Sequence, residues 1–339
     1  MKLKRYDGNP VLSPIDGSAW EGMVTANPGA WYDENDKKVH LLYRAASDDD
    51  LHQVCLGYAV SDDGYNFKRM SDKPAVRPSD GFDEGCVEDP RIVKYGDWYF
   101  ITYASRPYPA RRYWEQTPHA AWTPPYATAD WPVSLRENLS STGLLVTQDF
   151  KCFKRAGRIT GTTIDDRDVI LFPEKINERF VMLHRPMSWT GPEYGTEKPA
   201  MWISFADDLM DWKESRLLAK AEYDWERKIG GSTPPIKTDA GWLVLYHAVG
   251  SDLHYRVGAM LLDLLDPSIV THRSPDWLMQ PETDYELNGL YQGCIFPCGN
   301  VVINETLFVY YGGADRHVGV ATCSLPELID YLKTCPVTQ

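Results

Sequence analysis

The sequence predicts an all-β fold: a five-bladed β-propeller forming one domain over residues 1–339, with a short C-terminal helix. Three observations carry this expectation. A hairpin-like unit recurs five times, a second hairpin follows each of the first four copies, and a single segment reads as a convincing helix. A doubly wound α/β sheet would need several such helices.

Each unit is an apolar strand, a polar turn with Asp, Asn or Gly, and an aromatic-rich strand. The copies are GAWYDENDKKVHLLYRA from Gly29, DPRIVKYGDWYFITYAS from Asp89 and DVILFPEKINERFVMLHRP from Asp168. STPPIKTDAGWLVLYHAV from Ser232 and CIFPCGNVVINETLFVYYGGAD from Cys294 complete the set. Their flanks have the Val, Ile, Leu, Phe, Tyr and Trp that paired strands favour. The second hairpins are GYAVSDDGYNFKRM from Gly57, GLLVTQDFKCFKRA from Gly143, MWISFADDLMDWKES from Met201 and a looser copy from Val257. Four strands per unit, repeated about every 60 residues, give one propeller blade each. Pro28, Pro90, Pro173, Pro234 and Pro297 are expected near the starts of the first strands, where a missing N–H is tolerated. The helix is SLPELIDYLKT, with Ser324 as N-cap, Pro326 in the first turn, and Leu325, Leu328, Ile329 and Leu332 on one face. Residues 106–140 break the pattern with six Pro and three Trp. They read either as an ordered loop covering a sheet edge or subunit contact, or as a lid over a pocket.

Composition narrows the function. A formal charge of −13 argues against nucleic acid, which needs clustered Lys and Arg. Twelve Trp and twenty Tyr suit strands, and they also suit stacking on sugar rings. Seven cysteines without a CxxC pair, and scattered histidines, argue against a metal site or a disulfide framework, and no metal is expected. No signal-like or membrane-spanning apolar run is present, so a cytoplasmic protein without a membrane partner is expected.

In a propeller, polar residues at equivalent positions of the innermost strands converge on the axis. Asn27, Asp89, Arg91, Arg167, Asp168, Lys228 and Asp315 lie near those strands, and Arg44, Arg185 and His247 lie at the ends of the next ones. Charges among aromatic and aliphatic strand residues are either paired or functional. Inter-blade salt bridges account for single members, whereas repeat-equivalent clustering of the set points to a polar pocket.

Four motifs, EDPRIVKYGDWYFITY, DRDVILFPEKINERFVMLHRP, ERKIGGSTPPIKTDAGWLVLYH and FVYYGGAD, occur in that order. Together they resemble glycoside hydrolase family 130, the β-mannoside phosphorylases and mannosidases, over about Asn27 to Asp315. That resemblance implies a five-bladed propeller and an inverting β-mannoside phosphorylase using inorganic phosphate as co-substrate, without a cofactor. It implies that Asp89 is the proton donor, in some members acting through the sugar's 3-hydroxyl. It further implies that Arg167, Arg185, Lys228 and His247 hold phosphate, and that Asn27, Arg44 and Asp315 line the sugar site, to which convergence on the axis adds Arg91 and Asp168 as expected substrate-binding residues. A general acid must keep its proton near neutral pH, which partial burial of Asp89 favours. Neighbours on a strand face opposite sides, so Glu88 is not placed with it.

Phosphorolysis lets phosphate be the nucleophile, whereas inverting hydrolysis needs a second carboxylate, for which Glu226 is the candidate. The retained basic positions favour phosphorolysis, leaving an inverting β-mannosidase or a non-catalytic sugar-binding propeller as alternatives. Asn27-Pro28-Gly29 replaces the N-S-A of many members. Asp166-Arg167-Asp168 replaces the N-R-N of a branch acting on β-1,4-mannosyl substrates, so β-1,2-mannobiose or β-1,2-oligomannan is the expected substrate. The Pro- and Trp-rich insert is the candidate contact of a homo-oligomer.

Overall fold

The computed structural model describes residues 1–79, 81–115 and 122–337. Five antiparallel sheets follow one another along the chain, each running from an innermost to an outermost strand. Blade one comprises Val24–Asp33, Lys38–Ala46, Cys55–Ser61 and Lys68–Arg69; blade two comprises Cys86–Tyr95, Trp98–Arg106, Ser141–Thr147 and Lys154–Arg158. Blade three is Asp166–Leu171, Phe180–Pro186, Met201–Ala206 and Glu214–Ala219. Blade four has a split first strand, Lys228–Gly231 and Ile236–Thr238, followed by Gly241–Val249, Tyr255–Leu262 and Val270–Arg273. Blade five runs Ile295–Ile303, Thr306–Gly313 and His317–Ser324, and the N-terminal strand Lys4–Arg5 pairs with the last of these to close the ring. All five expected first hairpins and all four second hairpins are therefore present. The ring-closing strand, two residues long, has no periodicity to betray it.

Apolar residues pack between blades rather than within one central core. Leu41 faces blade five while Leu42, its neighbour, faces blade two. Because both faces of the middle strands are buried, they read as continuous apolar runs rather than as alternating patterns. Leu328, Ile329 and Leu332 of the helix Leu325–Lys333 join the cluster between blades four and five, and Ser324 caps the helix by accepting from the Glu327 N–H. Among the described residues no helix is long and apolar enough to cross a membrane.

Four blades share one buried polar unit. A second-strand tyrosine donates to a carboxylate on the segment leading into the blade, and an outer-strand arginine donates to the same carboxylate. In blade one, Tyr43 and Arg69 meet Glu21 at 3.0 and 2.9 Å. Tyr103 and Arg155 meet Asp83 at 2.8 and 2.7 Å in blade two. Blade four joins Tyr246 and Arg273 to Glu226, and blade five joins Tyr311 and Arg5 to Glu286. Each tyrosine ring lies over a third-strand glycine (Gly57, Gly143, Gly258 or Gly319), where a Cβ would overlap the ring. Blade three departs from this. There His184 contacts Asp166 and Ser204, and Ser204 contacts Ser215.

This unit corrects the reading of Glu226 as a reserve catalytic base. Its carboxylate is saturated by Arg273, Tyr246 and the backbone N–H groups of Glu222 and Tyr223.

The innermost strands are all dislocated at one level. Blades one, two, three and five each insert one extra residue there, and blade four splits its strand. Pro28, Pro90 and Pro297 sit at these dislocations rather than at strand starts, because a bulge is where a ladder N–H is not required. Pro173 lies beyond its strand and Pro234 within the split.

Glu226→Ala leaves buried Arg273 without its two short carboxylate bonds, with only the exposed Glu222 remaining at 3.5 Å. Urea unfolding is expected to show a loss of about 3–5 kcal/mol.

Candidate active site

The bulges aim the chemistry at the axis. Asn27, Asp89 and Asp168 occupy equivalent bulge positions with φ of 45°, 53° and 54°. Asn and Asp tolerate this left-handed conformation better than other non-glycine residues, and it turns their side chains out of the strand's ordinary alternation. The second strands add Arg44, Arg185 and His247 at one matching register, opposite Ala26, Arg167 and Gly230. Asp315 comes from the turn after Thr306–Gly313.

These elements enclose a cavity of about 310 Å³, lined by Asn27, Arg44, Asp89, Arg167, Asp168, Arg185 and Asp315 among others. Seven of the ten expected site residues therefore share one wall. Arg91 and His247 are 2% and 0% exposed and lie behind it. Arg91 donates to the carbonyls of Asp89 and Ser232 and sits 3.6 Å from Asp168. His247 accepts from Arg185 Nη1 at 3.1 Å through Nε2, so its proton is on Nδ1, which faces Ser232. Burial pushes its pKa down to about 3, keeping it neutral. Lys228 flanks the basic end, with its ammonium over the Tyr255 ring.

One end of the cavity is acidic. Asn27 donates to Asp89 at 2.8 Å, while Arg44 lies 3.3 Å from Glu88, 3.8 Å from Asp89 and 3.7 Å from Asp315. Burial, then the charge of Glu88, raises the Asp89 pKa to about 6 against the pull of Arg44 and Arg91. The other end is basic. Arg167 is forked onto Asp165 at 2.6 Å through two nitrogens, and Arg185 lies 3.0 Å from Asp168. Burial and then Arg185 and Arg167 push Lys228 down to about 7. Asn27 Oδ1, Arg44 Nε, Arg91 Nη2 and Arg185 Nε are buried without a hydrogen-bond partner among the described residues. Buried polar atoms are normally satisfied, and these exceptions gather around the cavity's charged pairs.

Sequence reasoning missed Glu88, Arg106, Tyr113 and Tyr291, all of which line the cavity. Glu88 escaped because regular strand alternation sends it away; the bulge does not. Arg106 and Tyr113 belong to the insert, whose near part forms cavity wall and is clamped by Asn138 through bonds with Tyr108, Trp122 and Arg106. Tyr113 reaches Asp315 of blade five at 3.4 Å. The stretch 116–121 lies outside the described residues.

A family profile described as beta-1,4-mannooligosaccharide phosphorylase matches residues 4–334. Two relatives come from Thermoanaerobacter sp. (strain X514). A 1,2-beta-oligomannan phosphorylase is 35% identical over 97% of this chain and 99% of its own, and a beta-1,2-mannobiose phosphorylase is 34% identical over 94% and 96%. The solved beta-1,2-mannobiose phosphorylase of Listeria innocua, in complex with beta-1,2-mannobiose, superposes with a TM-score of 0.78. It is 25% identical and covers 98% of this chain and 100% of that one. With the propeller, the dislocated inner strands and the ordered motifs, these likenesses establish that the chain belongs to glycoside hydrolase family 130.

Proposed function

We propose that the protein is an inverting β-mannoside phosphorylase of the cytoplasm, cleaving β-1,2-mannobiose or a β-1,2-oligomannan with inorganic phosphate to release α-mannose 1-phosphate. The observation that carries this reading is the division of one cavity into a protonatable acid end and an undercompensated basic end. At the basic end Arg91, Arg106, Arg167, Arg185 and Lys228 face Asp165, Asp168 and Glu88, leaving an excess of positive charge suited to a phosphate dianion. The β-1,2 linkage rests on the relatives of 34–35% identity. All seven cysteines are free, in keeping with a reducing compartment.

In this reading Asp89 protonates the departing oxygen, directly or through a sugar hydroxyl, while phosphate attacks the anomeric carbon from the basic end. The C–O bond to the acceptor breaks as the C–O bond to phosphate forms, inverting the centre. Asn27, Arg44, Asp168 and Asp315 hold the mannosyl unit, and Arg167, Arg185 and Lys228 hold phosphate. Arg91 and His247 act through the groups they orient: Arg91 braces Asp89 and Asp168, and His247 fixes the rotamer of Arg185.

Incubation of β-1,2-mannobiose with the protein is expected to yield mannose and α-mannose 1-phosphate only when phosphate is present. Undiminished breakdown in phosphate-free buffer would assign a hydrolase instead. Asp89→Asn is expected to lower turnover by about 10²–10⁴-fold while disaccharide binding persists; unchanged turnover removes Asp89 from the mechanism.

Phosphate binding is expected to take up a proton at about pH 8, where Lys228 is mostly neutral and free phosphate is already dianionic. A bound dianion favours the ammonium form and raises the Lys228 pKa, so protons flow inward. Calorimetry in buffers of different ionisation enthalpy reads this uptake directly, and Lys228→Met abolishes it.

A further inference from the structure

We propose that Glu88 is a positioning residue for the proton transfer, its carboxylate holding the proton on Asp89 because the two groups flank one guanidinium inside one cavity. The inference rests on the reading of Asp89 as the acid. On a regular strand the two side chains would point to opposite faces. The extra residue inserted after Glu88, with Asp89 at φ 53°, instead brings both to the cavity wall. Arg44 reaches both, Nε toward Glu88 at 3.3 Å and Nη1 toward Asp89 at 3.8 Å.

Their surroundings differ. Glu88 faces Arg44 from blade one, Arg106 from the end of its own blade's second strand and Arg167 from blade three. Burial opposes its ionisation, but those three arginines outweigh it and hold its pKa below the ordinary value. Asp89 faces Arg44, Arg91 and the Asn27 amide, while Asp315 from blade five and Tyr113 from the insert crowd the same Arg44. Burial and then the Glu88 charge raise it. Two carboxyl groups sharing one site do not ionise together, so the one with more cations keeps the charge and the other keeps the proton. Glu88 needs no contact with the sugar to do this.

The test is ¹³C NMR titration of the carboxyl carbons, with Asp89→Asn assigning the Asp89 signal. In the parent protein Asp89 is expected to titrate above ordinary aspartates. In Glu88→Gln, which keeps size and shape, its midpoint is expected to fall by about one pH unit or more. The high-pH limb of kcat/KM should move down with it. Glu88→Asp retains the charge and is expected to leave the midpoint within a few tenths of the parent's. An Asp89 midpoint unmoved in Glu88→Gln overturns the proposal, even if activity is lost, because that loss would then reflect packing. The midpoint is read without turnover, so it reports on Glu88 even if Asp89→Asn were to show that Asp89 is not the acid.

Discussion

The buried tyrosine–carboxylate–arginine unit is what the four regular blades are built around. Each carboxylate arrives on the segment that leads into the blade, and its two donors come from the second and the outermost strands. One anion therefore ties three separate stretches of chain, and it does so in an interior where an unpaired charge would be intolerable. The ring's closure uses the same device. Arg5, from the two-residue N-terminal strand, completes the unit of blade five on Glu286. The innermost strand supplies no member of the unit; it keeps its ladder on both sides of one level and departs from regular pairing only there.

That local departure is where the site comes from. Five dislocations at one level convert a repeated scaffold into a ring of inward-aimed positions, and the sequence fills them unequally. Asn27 and Asp89 face Arg44 at one end, and Asp168 faces Arg185 at the other. Residues just behind the wall matter as much as those on it. Neutral His247 can accept from Arg185 only because burial suppresses its own protonation. The near part of the insert adds a wall that no blade supplies, with Tyr113 spanning from blade two toward Asp315.

Much of this was legible in the sequence, for identifiable reasons. Hairpins repeat because blades repeat, so the blade count and the strand pairs followed from Gly29, Asp89, Asp168, Ser232 and Cys294. The basic and acidic positions stood out because charges are rare within such strands. What stayed hidden depended on backbone irregularity or on distant partners. Glu88 was not placed beside Asp89 because alternation is the default until a bulge is known. Glu226 looked available because its partner, Arg273, lies far along the chain. Lys4–Arg5 was too short to carry any pattern, and the prolines at 28, 90 and 297 marked bulges rather than strand beginnings. Arg91 and His247 were expected at the axis with the others, and burial puts them one layer behind the cavity wall.

Blade three alone lacks the tyrosine–carboxylate–arginine unit, substituting His184, Asp166, Ser204 and Ser215. It is also the blade that supplies Arg167 and Arg185. The chain entering it carries no carboxylate committed to an outer-strand arginine; Asp165 pairs with Arg167, and Asp168 with Arg185 and Arg91, at the cavity. In blade three, then, the acids at 165 and 168 set the charge of the cavity's basic end instead of locking the blade together.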